Sequence, residues 1–333
     1  MLDTGKMAVV LRTKQFKILA VLAVFCIIAI IFIMKKDAKD ATRGIVHRRM
    51  VDHSSMNLNR SMSEDLEKKH GLKALKSRDA TIFVDDLGRV RIPPDDIIEL
   101  MKYRDLEELY HRYLESIQIP CTRQVHLGSF EDGGYDLCEH PKVIPSKPCM
   151  VYSFGVRDDF SFDEQLSSNY GCEIHSFDPA NGMKDHQHST NVYFHSMGLS
   201  NKDEIINGNW KMRTLKTIKK ELGHTDSNIS IMKIDIEGGE WTALPEILDS
   251  GTLLGVKQLI MEFHSWVDLH PFTVDGRNVK DYSQHLKVLK RIYDEGFRIF
   301  FFKRFPAKCC IFTDEFNMDR VGCHEVHLMR ISG

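Results

Sequence analysis

Short apolar runs in the second half of the chain predict a sheet of seven strands. They recur from residue 149 onwards, separated by amphipathic or turn-rich stretches. The runs are residues 150–156, 173–177, 192–197, 229–236, 256–263, 298–303 and 325–331. Nearly continuous apolar runs of this kind are typical of mostly parallel strands that are buried on both faces in an α/β fold. A loop without a long helix joins the last two runs, which predicts an antiparallel hairpin at the sheet edge.

A different pattern stands near the N-terminus. Residues 18–34 are 17 consecutive positions without a charge or a proline, and lysines flank them on both sides. A membrane-spanning helix needs roughly 17 to 25 apolar residues, so this stretch predicts a transmembrane signal anchor. The alternative is a cleaved signal peptide of a secreted protein, although its end (IMKK) lacks the small-x-small pattern of a cleavage site.

Composition changes along the chain suggest five segments. Residues 1–17 form a short cytoplasmic tail ahead of the anchor, and the polar residues 35–80 indicate a flexible stem. Residues 81–148 are a helical, disulfide-tied lead-in, with a helix predicted from the prolines before Asp95 to about Ile117. Residues 149–333 form the α/β domain.

The charge distribution bears on partners and orientation. The formal net charge is −2, but the first 49 residues carry ten Lys/Arg against three Asp, or +7, which leaves −9 for the rest. An acidic globular part argues against nucleic acid as a partner. Basic residues before the span favour a cytoplasmic N-terminus, and thus a single-pass type II protein of the ER and Golgi with its domain in the lumen.

Cysteines and glycosylation sequons agree with a lumenal domain. Seven of the eight cysteines follow the predicted span, where an oxidising lumen allows disulfides. Seven is odd, so at least one stays free or pairs between chains. Adjacent Cys309 and Cys310 are not expected to pair with each other, and Cys323 is a partner for one of them. Asn59 and Asn228 begin Asn-x-Ser sequons.

The ends of the first two predicted strands suggest a nucleoside site. Gly155 ends the first strand, and Ser161 begins a helix with Glu164 in the pattern of a capping box. A glycine turn before a helix N-terminus lets a phosphate or carboxylate approach the backbone. Asp178 follows the second strand 23 residues later, about the spacing at which an acid accepts ribose hydroxyls. A strand–turn–helix without a ligand would contain the same residues.

The fourth and fifth strands place charges at the same sheet edge. Lys233, Asp235 and Glu237 alternate, so they share one face, and Glu262 and His264 do the same on the next strand. Buried charges are costly unless paired, which indicates a site at the carboxyl ends of the strands or a structural salt-bridge ladder. His186-Gln187-His188 could suggest a metal site, but a solvated loop is the simpler interpretation.

These motifs together resemble a known family. They are YSFG at 152–155, SFD at 161–163, CEIHSFDP at 172–179, LKTIKKEL at 215–222, MKIDIEGGEW at 232–241 and MEFH at 261–264. The combination is similar to class I S-adenosylmethionine-dependent methyltransferases of the FkbM-like kind, and most similar to the membrane-anchored methyltransferase-like protein 24 family. The likeness covers about residues 118–331.

The resemblance implies a fold and a cofactor. The fold is a Rossmann-like, seven-stranded, mostly parallel sheet with an antiparallel C-terminal hairpin, and the cofactor is S-adenosylmethionine. Phe154, Gly155 and Asp178 are then the cofactor contacts. Many class I enzymes have a second glycine where this chain has Arg157, whose guanidinium is expected to pair with the methionine carboxylate of the cofactor instead.

Roles for the remaining residues follow as hypotheses. Asp235 and Glu237 are expected at the rim where the cofactor's methyl group meets the acceptor, and Asp235 also faces the cofactor. His264 is the predicted general base because its ordinary pKa of about 6.5 suits a near-neutral lumen. The weaker alternative is a divalent metal held by Asp235, Glu262 and His264.

The predicted function is methyl transfer to a hydroxyl of a glycan or another lumenal or secreted acceptor. Two alternatives stay open. A metal-dependent lumenal glycosyltransferase would use Asp235-Ile236-Glu237 as its acid-x-acid motif, and a decayed methyltransferase would keep the fold as a binding module without catalysis.

Overall fold

The computed structural model describes residues 60–77, 80–130, 132–265, 281–305, 310–314 and 317–331. The helices are α1 Arg60–His70, α2 Asp95–Leu100, α3 Tyr103–Leu114, α4 Ser161–Tyr170, α5 Leu215–Glu221, α6 Glu240–Ser250 and α7 Tyr282–Asp294. The first eleven strands are β1 Lys73–Ser77, β2 Ala80–Val84, β3 Gln124–Leu127, β4 Tyr135–Cys138, β5 Met150–Phe154, β6 Glu173–Phe177, β7 His186–Ser189, β8 Val192–His195, β9 Gly198–Leu199, β10 Glu204–Ile206 and β11 Trp210–Arg213. The others are β12 Ile231–Ile234, β13 Gln258–His264, β14 Phe297–Arg304, β15 Ile311–Thr313, β16 Asp319–Val321 and β17 Cys323–Arg330.

One mixed sheet forms the centre of the domain. Its strand order is β14-β17-β13-β12-β5-β6-β8-β7. The five strands from β13 to β8 are parallel to one another. Strand β17 lies antiparallel between β13 and β14. The predicted α/β class, the parallel strands and the antiparallel C-terminal pair are confirmed, and β7 adds an eighth strand.

The extra strand corrects one prediction. His186, Gln187 and His188 lie in β7, which pairs antiparallel with β8 at the sheet edge, rather than in a solvated loop. Its side chains are exposed or half-buried, so the strand carries no alternation of apolar residues that the sequence could reveal. Backbone pairing with β8 holds this edge strand together with the His188 ring, which stacks on Phe160 with ring centres 3.8 Å apart.

The sheet is buried on both faces, which explains the continuous apolar runs. Along β5, Val151 packs into one apolar cluster with Phe162 and Leu166 of α4. Tyr152 and Phe154 point to the other side, into the larger cluster beneath α3, α6 and α7. Successive strand residues point to opposite faces, so one strand contributes to both layers.

The predicted helix over 95–117 is two helices. Met101 and Lys102 between α2 and α3 have extended backbone angles, with ψ of 144° and 156°. Neither residue is a helix breaker. Tertiary contacts decide the break, because Asp105 in the first turn of α3 accepts a hydrogen bond of 2.6 Å from the Thr81 backbone of β2.

Two further local predictions change. The capping box at Ser161 is not formed; the Asp159 carboxylate accepts from the Ser161 backbone nitrogen at 2.8 Å instead. The predicted stem, residues 35–80, overlaps folded structure, because α1 and β1 lie within it and Leu66 and Leu72 are buried. The described part of the stem, residues 60–77, therefore belongs to the folded domain.

Three disulfides link the described cysteines. They are Cys121–Cys138, Cys149–Cys172 and Cys310–Cys323. The predicted pairing of Cys323 with one of two adjacent cysteines is confirmed, and its partner is Cys310. Cys309 lies outside the described residues.

The predicted tail, the anchor at 18–34 and the sequon at Asn59 also lie outside the described residues. Within the part of the chain that the structure describes, no helix has the length and apolar character needed to cross a bilayer.

Candidate active site

A cavity of about 900 Å³ opens at the carboxyl ends of β5, β6, β12 and β13. Open α/β sheets bind their ligands at this edge because several loops converge there. Of the predicted site residues, Gly155, Arg157, Asp178, Asp235, Glu237, Glu262 and His264 line the cavity. The sequence prediction thus brought together residues from four strands.

Gly155 sits in the tightest part of the cavity wall. Its φ is +80°, and a Cβ atom there would lie 1.6 Å from the carbonyl oxygen of Asp235. Its backbone nitrogen donates to the Phe177 carbonyl at 2.8 Å. Glycine is therefore required because two backbone segments approach each other, in addition to any approach by a ligand.

Asp178 joins the two turns on which a nucleoside would lie. One carboxylate oxygen accepts from the Arg157 backbone nitrogen at 2.8 Å, and the other accepts from Ala180 at 2.7 Å. The side chain lines the cavity although the residue is only 7% exposed. A carboxylate oxygen has two lone pairs, so each oxygen can accept a further hydrogen bond.

Two predicted cofactor residues have different surroundings. Phe154 is fully buried and stacks on Phe177 with ring centres 4.5 Å apart, and it does not line the cavity. Arg157 does, with a side chain that is 68% exposed and a guanidinium nitrogen 3.3 Å from Glu237. Arg157 therefore faces the cavity as predicted, while Phe154 supports the β5–β6 pair from below.

Lys233 and Asp235 belong to a small polar network. The Lys233 ammonium donates to the Gly155 carbonyl at 2.9 Å and lies 3.4 Å from the Asp235 carboxylate. Tyr135 covers it, with the ammonium 4.9 Å from the ring centre, and its hydroxyl donates to Asp235 at 3.1 Å. Part of the predicted charge pattern is thus a structural salt bridge that fixes Asp235.

His264 is surrounded by carboxylates. Its Nδ1 atom lies 3.2 Å from Glu240, while Nε2 lies 3.5 Å from Glu262 and 3.6 Å from Glu237. Burial alone would lower the pKa of His264, but the charge of Glu240 and its hydrogen bond outweigh burial and hold the pKa well above its ordinary value. The raised pKa favours the protonated imidazole, which has no lone pair with which to accept a proton.

The pKa values of two neighbouring carboxyl groups are also raised, which favours their neutral forms. Burial raises the pKa of Glu237, and the nearby Asp235 and Glu240 add to the effect. Burial and Asp235 raise the pKa of Glu262 well above its ordinary value. Carboxyl groups with raised pKa values in a cleft are stronger bases than ordinary ones and are typical of catalytic sites.

Comparison with known proteins shows to which family the chain belongs. The family model described as a methyltransferase domain matches residues 101–293 of the chain. The chain belongs to this methyltransferase-domain family. A human protein named "Probable methyltransferase-like protein 24" is 27% identical over 206 residues, which cover 57% of this chain and 55% of that protein. The rat protein of the same name is 29% identical over 217 residues, covering 59% and 58%. The chain thus matches a little over half the length of these relatives.

Within this methyltransferase domain, the predicted metal set changes. Asp235, Glu240 and His264 form one group whose ligand atoms lie within 4.8 Å of one another, so Glu240 replaces Glu262 in the set predicted from the sequence. Glu262 does group with His264 and Cys323, but Cys323 is in a disulfide and offers no thiolate. Glu240 already accepts from His264 and from the Ile236 backbone nitrogen at 2.8 Å. This arrangement serves to orient His264.

Three residues in or beside the candidate site were not predicted from the sequence. Glu240 lies within the quoted EGGEW motif, but its contact with His264 spans 24 residues. Asp163 lies within the SFD motif, is buried, lines the cavity and accepts from Ser176 at 2.6 Å. Tyr135 comes from the irregular lead-in, where no signal in the sequence points to the cavity.

Proposed function

We propose that the chain is an S-adenosylmethionine-dependent methyltransferase of the secretory pathway. It transfers a methyl group to a hydroxyl of a glycan or of another lumenal or secreted molecule. The observation that carries the proposal is one cavity in which the Gly155 turn, the Asp178 carboxylate and the acids after β12 meet. Membership of the methyltransferase-domain family supports methyl transfer over transfer of a sugar.

The residues present fit the cofactor. A volume of about 900 Å³ lies within the usual range of small-molecule sites. Asp178 retains lone pairs for two ribose hydroxyls, and the exposed guanidinium of Arg157 can exchange Glu237 for a ligand carboxylate. When bound, S-adenosylmethionine supplies a methyl group already activated by the sulfonium charge. The protein then has to bind, orient and remove a proton from the acceptor.

We assign removal of that proton to Glu237 rather than to His264. Glu237 lies on the cavity wall, and its raised pKa makes it a better base than an exposed carboxylate. His264, protonated and held by Glu240, lies 3.6 Å from Glu237 and stabilises its ionised form. This assignment replaces the sequence-based hypothesis of His264 as the base.

The compartment is supported by three features. Three disulfides link buried or partly buried positions of the domain, and such bonds persist in oxidising compartments. Asn228 of the second sequon is exposed. The apolar stretch at residues 18–34 is long enough for a signal anchor. Glycans and secreted proteins are the acceptors available in that lumen.

Calorimetric titration of the full chain with S-adenosylmethionine tests the cofactor assignment. We expect saturable binding, weakened at least tenfold by Asp178→Asn because one charged acceptor is lost, or about 1.4 kcal/mol. The matched control is Asp185→Asn. Asp185 also accepts a backbone hydrogen bond, from Ser196 at 2.7 Å, but it does not line the cavity. Absence of wild-type binding at millimolar cofactor overturns the proposal.

A second experiment addresses the acceptor. Mass spectrometry of secreted glycans and proteins after deletion of the gene should reveal species that have lost the mass of one methylene. Stabilisation by a nucleotide sugar with manganese, and none by S-adenosylmethionine, would instead indicate a glycosyltransferase. Cofactor binding without transfer to any pool would indicate a binding module and contradict the enzymatic part.

A further inference from the structure

A second cluster of metal-ligating side chains lies away from the cavity. Glu173 and His175 project from the same face of β6, and His224 follows α5 by three residues. Their ligand atoms all lie within 4.8 Å of one another. None of the three lines the cavity, so the active site does not account for them.

The spacing suits a small transition-metal ion. Ligand atoms about 2.1 Å from a tetrahedral Zn²⁺ lie about 3.4 Å from each other. His175 Nε2 and Glu173 Oε1 are already 3.0 Å apart, so only His224 needs to move closer. An ion bound at Nε2 replaces the hydrogen bond to Glu173, and the one proton of the neutral imidazole then occupies Nδ1, where His195 Nε2 can accept it.

The Nδ1 atom of each imidazole has a hydrogen-bond partner. His175 Nδ1 lies 2.9 Å from His195 Nε2, and His224 Nδ1 lies 2.7 Å from the Tyr152 hydroxyl. Histidine ligands of protein metal sites almost always have their second nitrogen fixed in this way, because the partner sets the tautomer and the ring orientation. Each ring thereby keeps Nε2 for a further partner.

The cluster is also accessible. The Glu173 side chain is 47% exposed and His224 is partly exposed, whereas His175 is buried. An ion can therefore enter from solvent beside the Glu173 carboxylate and bind the Nε2 atom of the buried His175. Water can complete a four-coordinate shell.

From these contacts we propose that Glu173, His175 and His224 form a structural site for a divalent transition metal of the Zn²⁺ type. The ion would link β6 to the segment between α5 and β12. Asp178 directly follows β6 and Asp235 directly follows β12. A metal at this position would thus stabilise two segments from one end, while their other ends, at Asp178 and Asp235, lie at the cavity.

Zinc titration of the full chain, first stripped with a chelator, tests the site. We expect saturable binding that raises the melting temperature. Glu173→Gln and His224→Gln each remove one ligand at an exposed or partly exposed position, so the fold is retained. Each should weaken zinc binding at least tenfold and abolish the rise in melting temperature. Cobalt substitution should give the visible bands of a tetrahedral ion in the wild type and not in these two variants.

His188→Asn is the matched control. His188 Nε2 pairs with Glu164 at 3.0 Å on the edge strand β7, and the described residues include no third ligand grouped with them. This variant should bind zinc as the wild type does. The proposal is overturned if the wild type takes up no zinc, or if both ligand variants keep its affinity. Because the readout is metal binding, its failure leaves the cofactor test unaffected.

Discussion

The Nδ1 atom of His264 lies 3.2 Å from Oε1 of Glu240, a carboxylate with no exposed surface. The same oxygen accepts from the Ile236 backbone, and Oε2 has no hydrogen-bond partner among the described residues. A buried charge with so few partners depends on its counter-charge. Glu240 and His264 therefore form one unit, in which the carboxylate favours the charged imidazole beside Glu237 and Glu262.

Replacing Glu240 with Gln should destabilise the protein and lower the pKa of His264. Loss of one partner of a buried ion pair costs about 3 kcal/mol or more. The pKa of His264 is raised on folding, so its contribution is complete below the unfolded value of about 6.5 and is lost as pH rises through the folded value. The difference between wild type and variant in urea unfolding should thus shrink as pH rises above neutrality.

Asp249→Asn on the same helix provides the comparison. Asp249 pairs with Arg291 at 2.6 Å, but both side chains are exposed, so the loss should stay below about 1 kcal/mol. Equal destabilisation by the two variants, or a difference for Glu240→Gln that grows with pH, would contradict the paired-unit interpretation.

Gly155→Ala should disrupt the site far more than Gly182→Ala. Both glycines have positive φ, +80° and +75°, so alanine strains the backbone at each by about 1 kcal/mol. A Cβ at Gly155 also meets the Asp235 carbonyl at 1.6 Å, whereas nothing lies within 4 Å of one at Gly182. We expect about 2 kcal/mol of additional destabilisation in urea unfolding. Similar destabilisation by both variants would show that the Gly155 turn accommodates a Cβ atom without an additional cost in free energy.

The sequence predicted the positions of Gly155, Asp178 and Asp235 because the carboxyl ends of parallel strands share one edge. It could not predict the state of His264, since that depends on Glu240 behind it and on burial. Phe154 does not line the cavity, because it is two residues from Tyr152 and shares its buried face, so its contact with the cofactor stays a prediction. Local patterns locate strand ends, whereas protonation and side-chain partners depend on contacts between distant segments.

The disulfides provide a prediction about stability and oxidation. Cys149 and Cys172 precede β5 and β6 and close a loop with a sequence separation of 23. Replacing both with serine should lower the free energy of unfolding by about 3 kcal/mol, because the unfolded chain gains entropy. Alkylation of the unreduced wild type should leave both unlabelled. Labelling of either, or an unchanged melting temperature in the double variant, would contradict this bond.

The proton-transfer assignment predicts a specific pH profile. Transfer of labelled methyl from S-adenosylmethionine to a pool of secreted glycans should rise with pH through the raised pKa of Glu237 and then level, because only the carboxylate accepts a proton. Glu237→Gln should lower the rate about 100-fold or more, within the range for loss of a general base.

His264→Gln separates the two candidate bases. The His264 charge lowers the pKa of Glu237, so its removal should move the rise to higher pH while activity at high pH is retained in part. If His264 were the base, this variant would lose as much activity as Glu237→Gln at every pH. Circular dichroism of both variants establishes that the comparison is made between folded proteins. A shifted pH profile would thus assign proton removal to Glu237. Loss of activity without a shift would assign proton removal to His264.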